Sequence, residues 1–439
     1  MRCNFYLPRL PLLVATIMAF VAMTSAAYGA EPETVLYYFT GGNNGIGSSQ
    51  LIMDAAGNLY GTELGPTPGA RCGLYCGGVF ELSPSGTTWV KATLYQFKGG
   101  NDGSEPAAAL VFDKKGRLYG TTFAGGGQNG DGTVFELEHT DTGWREQVIH
   151  RFNTSGDGGW PEAALVFDSL GNLYGTTSTG GSSGGGTVFE LSPSAGGWTE
   201  TILHNFGAPG DGDSLWSGVV LDGAGNIYGT TENGGTSSVC EFSFGCGIVF
   251  ELSPSSGGTW TETVLHSFDG SPSQLSYDGV GPETTPIFDS LGNLFGTTTY
   301  GGNVQYCVSG CGVVYELSPN ADGTWTDNNI YEFAGGATDG GLPGGNIVMD
   351  AAGNIYGTTT IGGGGGSTFS KQCFYAEGPY CGTVYELSPV GDGWSEHILS
   401  SFDYTNGNSP SGVIMGTGQM LYGSAGGGKK YGVIYSVTE

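Results

Sequence analysis

The chain has 439 residues, with 13 Lys and Arg against 41 Asp and Glu, for a formal charge of −28 at pH 7. So acidic a surface excludes nucleic acid and anionic lipid as natural partners, and it suits a soluble exported protein. Gly and Pro number 85 and 19, a proportion that accompanies disorder, but aromatics at 12% and periodic apolar runs predict a packed fold whose glycines sit in turns.

Arg2 and Arg9 precede an uncharged apolar run, Leu12 to Met23, followed by small residues around Ser25, Ala26, Ala27 and Gly29. The pattern predicts a secretory signal peptide over 1–30, too short for a comfortable membrane span, and leaves 31–439 as one domain. The leader holds two of the basic residues and none of the acidic ones, so the mature formal charge becomes −30. No later stretch could cross a bilayer, and the expected location is extracellular or periplasmic.

One strand-turn-strand phrase then recurs seven times, as DAAGNLYGT at Asp54, DKKGRLYGTT at Asp113, DSLGNLYGTT at Asp168, DGAGNIYGTT at Asp222, DSLGNLFGTT at Asp289, DAAGNIYGTT at Asp350 and, worn down, GTGQMLYGS at Gly416. Units of about 54 to 67 residues are too small to bury their own apolar faces, so they must stack or close into an array. Each divides into four short strands. In the second unit these are Ala109–Phe112, Leu118–Thr122, Thr133–Leu137 and Gln147–Phe152, with the third and fourth joined by an SP…GGW or TGW loop. Asp at position one and Gly at position four of the first connection fit a type I turn.

Fourth-type strands occur at Val35–Phe39, Thr93–Phe97, Val148–Phe152, Ile202–Phe206, Val264–Phe268, Ile330–Phe333 and Ile398–Phe402. The first precedes any complete unit, and the last unit lacks one. The expected fold is therefore an all-β, seven-bladed propeller of four-stranded antiparallel blades, closed by the N-terminal strand pairing with the C-terminal blade.

Eight cysteines of the mature chain fall into close pairs, Cys72/Cys76, Cys240/Cys246, Cys307/Cys311 and Cys373/Cys381, each just before the third strand of a repeat. In an exported protein these read as local disulfides that staple long loops. Zinc is the competing reading, but the pairs lie in different repeats and have no His nearby.

The phrases LYGTT…GG…GTVFELSP and W.E..LHxF resemble the Gloeo/Verruco, or GloVer, repeat of exported bacterial proteins, across essentially all of 31–439. The resemblance implies a β-propeller-like exported repeat protein and brings no enzymatic activity with it. A shorter likeness, in the first hairpin, is to NHL-type propellers.

In the predicted ring, the loops after the second and fourth strands emerge on one face and the DxxG turns on the other. The first face carries the stapled loops and acidic connections with Asp102, Asp157, Asp211, Asp213 and Asp339, so it is the expected ligand face. Trp160 and Trp216 interrupt the repeat pattern there, either to stack on a sugar or peptide or to plug a groove between blades. The turn aspartates and the VFEL glutamates recur in the repeats and read as structural. His150, His204 and His266 fill a fourth-strand slot that holds Tyr37, Tyr95 and Tyr331 elsewhere, and they read as packing residues. Asp211-Gly212-Asp213-Ser214 offers oxygen ligands to Ca²⁺ or is a simple acidic turn; it does not match the longer EF-hand loop.

No catalytic set is legible. The expected function is a secreted, monomeric, non-enzymatic scaffold that binds an extracellular glycan or protein through the long-loop face, with no cofactor beyond Ca²⁺ as a possible ligand. The alternatives are a carbohydrate-active lyase or hydrolase with a carboxylate or Ca-assisted site at the channel mouth, and a structural component of a cell-surface matrix.

Overall fold

The DxxG turn is the smallest unit of the architecture. In the computed structural model, Asp54 Oδ1 accepts hydrogen bonds from the backbone N–H of Ala56 and of Asn58, and Oδ2 accepts from Asn58 Nδ2, each at 2.9 Å. Asp168, Asp222, Asp289 and Asp350 repeat this pattern on their own turns, as the sequence predicts. The structure describes residues 33–439 except 43–44, 46, 48, 68–69, 71, 73–74, 128–129, 238–239, 241–244, 271–277, 365–380 and 429–430. The expected leader lies outside the described residues.

Seven four-stranded antiparallel blades form the ring. Blade 1 comprises Ile52–Met53, Leu59–Glu63, Gly78–Ser85 and Thr88–Gln96. Blades 2 to 6 follow in chain order, and blade 7 combines Asn408–Met415, Met420–Gly426 and Val433–Thr438 with the N-terminal strand Thr34–Tyr38. The fold is a seven-bladed β-propeller. One expectation changes at its boundaries: the SP…GGW segments are not loops but the paired ends of the third and fourth strands, with Pro84 opposite Trp89 and Ser85 opposite Thr88. Each Trp thereby stands on a strand, and Trp89, Trp198, Trp325 and Trp394 reach the second-strand aromatic of the preceding blade.

All seven fourth strands carry a β-bulge at one position. In blade 1, Tyr95 pairs with Val79 and Thr93 with Phe80, so Leu94 is the extra residue. The N-terminal strand repeats it, with Val35 opposite Tyr435, Tyr37 opposite Ile434 and Leu36 bulged. It is thus the missing fourth strand in detail as well as in number. Because side chains alternate along a strand, one inserted residue reverses the face of everything before it. Counting back in steps of two from the terminal Phe, the residues after the bulge face the next blade and those before it face the previous one.

That reversal fills the seams. The Phe that ends each fourth strand packs against the third-strand aromatic of the next blade, from Phe39 on Phe80 and Phe97 on Phe135 through Phe402 on Tyr435, at ring distances of 4.8 to 5.7 Å. Such pairs contribute about 0.5–1.5 kcal/mol each beyond area burial. The Gly of the YGTT phrase leaves room for that aromatic ring: a Cβ on Gly229 would meet Phe250 at 2.6 Å. The Thr that follows ties blades together, as where Thr176 Oγ1 donates to Ser217 O at 2.8 Å and Ser424 Oγ to Ser49 O at 3.0 Å.

Blades 5, 6 and 7 place Tyr315, Tyr385 and Tyr435 where the first four have Phe, and these hydroxyls are buried without a hydrogen-bond partner. Burying an unpaired hydroxyl is unfavourable. Tyr385→Phe should therefore hold or raise stability, by up to about 1 kcal/mol. Urea unfolding is the check, and a clear drop in midpoint would mean that the hydroxyl has a partner such as a buried water.

Candidate functional site

Two features stand out on the loop side of the ring, one inside the seams and one on the surface. The seams use two positions counted back from the terminal Phe of the fourth strand. Two residues back lie Tyr37, Tyr95, His150, His204, His266, Tyr331 and Ser400; six residues back lie Glu33, Lys91, Glu146, Glu200, Glu262, Asp327 and Glu396. The bulge lies between these positions, so the first group faces the next blade and the second faces the previous one. They meet across each seam.

The loop aspartates complete the meeting. His150 Nε2 lies 3.2 Å from Asp157 Oδ2 and 3.4 Å from Glu200 Oε1. His204 lies 3.3 Å from Asp211, and His266 3.0 Å from Asp278. Tyr95 Oη donates to Asp102 Oδ1 at 2.7 Å beside Glu146, and Tyr331 stands likewise with Asp339 and Glu396. Burial pushes Glu200 up to about 7, with Asp157 adding to the rise and His150 opposing it. Burial also raises Glu262 to about 7, Asp327 to about 6 and Glu396 to about 8, each beside a second carboxylate. Burial opposes protonation of His266, but its bond to Asp278 and the nearby charges outweigh that and raise it.

Asp102, Asp157, Asp211 and Asp339, singled out as ligand-face residues, thus turn into the seams and also cap their own loops, as where Asp339 accepts from the N–H groups of Ala334 and Gly340 at 2.6 Å. Asp213 instead accepts from Ser214 Oγ at 2.6 Å, so Asp211 and Asp213 serve separate partners. The histidines do pack, each edge-on to the Phe two residues on, and they also pair with acids. The carboxylate six residues before the Phe was the part the sequence reading missed. Its signal was present in W-x-[ED]-x-x-x-[HY]-x-F. The first seam differs: Lys91 Nζ pairs with Glu63 at 2.6 Å, both side chains 3% exposed.

The surface feature is an elbow leading into each innermost strand. Gly47, Glu105, Trp160, Ser214, Gly281, Leu342 and Ser409 all have φ between +46° and +66°. For the five that are not glycine this conformation costs on the order of 1–3 kcal/mol. Each elbow N–H is held by the preceding blade. Gly281 donates to Cys246 O at 3.0 Å, Leu342 to Cys311 O at 2.7 Å and Ser409 to Cys381 O at 2.8 Å. The disulfides Cys72–Cys76, Cys240–Cys246 and Cys307–Cys311, with Cα separations of 5.0 to 5.4 Å, therefore anchor carbonyls that position the next elbow. Cys373 of the fourth expected pair lies outside the described residues.

Trp160 occupies one elbow, 43% exposed, its N–H on Asp131 O at 2.8 Å and its ring 5.5 Å from Phe123. Trp216 lies two residues past the next elbow, 38% exposed, and its Nε1 donates to Glu232 at 2.6 Å. Trp160 thus packs against a residue of the preceding blade while part of its surface stays open. Glu162, at the position equivalent to Trp216, is pushed up to about 7 by burial and by Glu105.

No curated protein matches the sequence. Among solved structures, the extracellular domain assigned to a one-component system of B. thetaiotaomicron is similar in fold, with a TM-score of 0.53 and 11% identity over 93% of this chain and 40% of that one. This chain thus spans well under half of that protein. A structure described as a 6-phosphogluconolactonase from Bacteroides uniformis ATCC 8492 gives a TM-score of 0.47 and 13% identity, over 86% and 89% of the two chains. Among the described residues no helix is long and apolar enough to cross a membrane. The repeats match one family over residues 74–304 and 140–369, more than half the chain between them, and by that match the protein belongs to the Gloeobacter/Verrucomicrobia repeat family.

Proposed function

We propose that this propeller is an exported, non-enzymatic binding scaffold whose long-loop face takes an extracellular glycan or protein. The observation that carries the reading is the pair of exposed tryptophans on loops of neighbouring blades. Every other well-patterned residue recurs around the ring and is explained by building it. Trp160 replaces Gly, Ser, Glu or Leu at its elbow, and Trp216 replaces Ala107, Glu162, Glu283 or Gly344 at its own position. Large aromatic faces on a rigid frame suit stacking on a sugar ring or an apolar side chain. The backbone bonds that hold these two elbows, Trp160 N–H on Asp131 O at 2.8 Å and Ser214 N–H on Gly185 O at 3.0 Å, help keep such a face preorganised.

A glycan and polysaccharide array on the mature protein, with product analysis of each positive, tests the reading. Trp160→Ala or Trp216→Ala should weaken binding by about 1–3 kcal/mol, a loss of roughly 5- to 150-fold, with little change in stability. Unchanged affinity together with a large drop in unfolding midpoint would make both tryptophans packing residues and remove the proposed site. The elevated Glu162 beside Glu105 favours a hydrolase or lyase as the second reading. New reducing ends or unsaturated products, lost in Glu162→Gln, would establish it over the scaffold.

A further inference from the structure

We propose that the seams between blades 2 and 3, 3 and 4, and 4 and 5 are three equivalent sites for a zinc-like divalent cation, ligated by His150/Asp157/Glu200, His204/Asp211/Glu262 and His266/Asp278/Asp327. In each set, one imidazole nitrogen and two carboxylate oxygens lie within 4.8 Å of one another. This assignment is independent of the ligand face and would stand if that reading fell.

Three observations support it. The first is a shortage of protons. With both acids ionised, a single Nε2–H can be directed at only one carboxylate, which leaves the second acid oxygen facing the first with no proton between them. His150 Nε2, Glu200 Oε1, Glu262 Oε1 and Asp327 Oδ1 are indeed buried atoms without a hydrogen-bond partner. Such orphaned groups are costly unless something satisfies them. A dication would satisfy all three ligands together.

The second observation is metric. Zinc binds His nitrogen and carboxylate oxygen at about 2.0–2.2 Å, and a tetrahedron of such bonds separates its ligand atoms by about 3.3 Å. The His150 distances of 3.2 and 3.4 Å, and the 3.3 Å from His204 to Asp211, are of that size. One nitrogen and two oxygens are also too few for Ca²⁺, which takes six to eight oxygens. The fourth position would fall to water or another ligand.

The third is a comparison within the molecule. The seams on either side of these three carry Tyr95/Asp102/Glu146 and Tyr331/Asp339/Glu396, the same geometry with a phenol in place of the imidazole. Tyr95 gives its proton to Asp102, and although Glu146 Oε1 and Glu396 Oε1 are left without a partner there too, these seams offer no neutral nitrogen ligand. The His seams alone should take metal.

The test uses the full mature protein, stripped with chelator and then titrated with Zn²⁺ alone by calorimetry, with metal content measured after desalting. The expected result is up to three retained equivalents and a rise in thermal midpoint with free Zn²⁺. Because the fold already accepts Tyr in this slot, His150→Tyr, His204→Tyr and His266→Tyr should each fold and lose one equivalent, and the triple variant should lose all three. Co²⁺ substitution adds a second readout, since ligation in a tetrahedral field gives an intense visible absorption that the triple variant should lack. A wild-type protein that retains no metal and shows no such absorption would overturn the assignment, as would retention unchanged in the triple variant.

Discussion

Mature protein lacking residues 31–39 should lose its single cooperative unfolding transition and self-associate. The deletion removes the whole outer strand of blade 7, whose pairs Thr34–Ser436, Val35–Tyr435, Tyr37–Ile434 and Tyr38–Val433 are the last main-chain link in the ring. It also removes Phe39, 1% exposed, which packs on Phe80 and seals the seam between blades 7 and 1. Loss of a buried Phe alone costs roughly 3–5 kcal/mol. The unpaired edge of Val433–Thr438 would then be open to another chain. Light scattering and urea unfolding provide the check, and a synthetic peptide of residues 31–40 added in trans should restore a monomer. A truncated protein that stayed monomeric, with an unchanged transition, would mean that the strand is not what closes the ring.

The second large effect is on pH dependence, through Glu396. Burial first, and then the Asp339 carboxylate, raise it to about 8 from an ordinary value of 4.5. Between those pH values the folded protein holds a proton that the unfolded chain has released. Stability from this group is therefore fully present below about 4.5 and is lost as pH rises through about 8. Glu396→Gln mimics the protonated form. Measured by urea unfolding, it should match the wild type at pH 5 and exceed it at pH 9 by on the order of 3 kcal/mol. Parallel pH profiles for the two proteins would show that the carboxylate is better solvated, or better paired, than its place between Asp339 and Tyr331 implies.

The blade count and the ring closure could be read directly from the sequence, because turn aspartates, YGTT phrases and terminal phenylalanines recur at fixed spacings that only one closed arrangement uses fully. The cysteine pairs Cys72/Cys76, Cys240/Cys246 and Cys307/Cys311 were legible for the same reason. The seam chemistry was not. Leu94, Ile149 and Leu203 look like any apolar strand residue, yet each is the bulged one, and nothing local to the sequence marks it. Without that bulge, His204 and Glu200 would be read on one face of one strand. With it they belong to different seams, His204 facing Glu262 and Glu200 facing His150. The seam partners of the loop aspartates were hidden by the same gap, since they lie on a strand whose facing could not be known. Trp160 and Trp216 were recognisable because they break the pattern.

The bulge has a further consequence for how such a chain can change. It lets one strand give each of two seams a packing aromatic, Phe to one and Trp to the other, together with one residue of a socket whose contents vary one residue at a time: Tyr, His or Ser from one side, an acid or Lys91 from the other. The frame around each socket stays constant. A single substitution can therefore convert a hydrogen-bonded joint to an ionic or metal-binding one without disturbing its neighbours, as the succession from Tyr95 to His150, His204 and His266 and back to Tyr331 illustrates. A lineage built this way can vary the joints of its ring independently, blade by blade, while the ring itself is inherited unchanged.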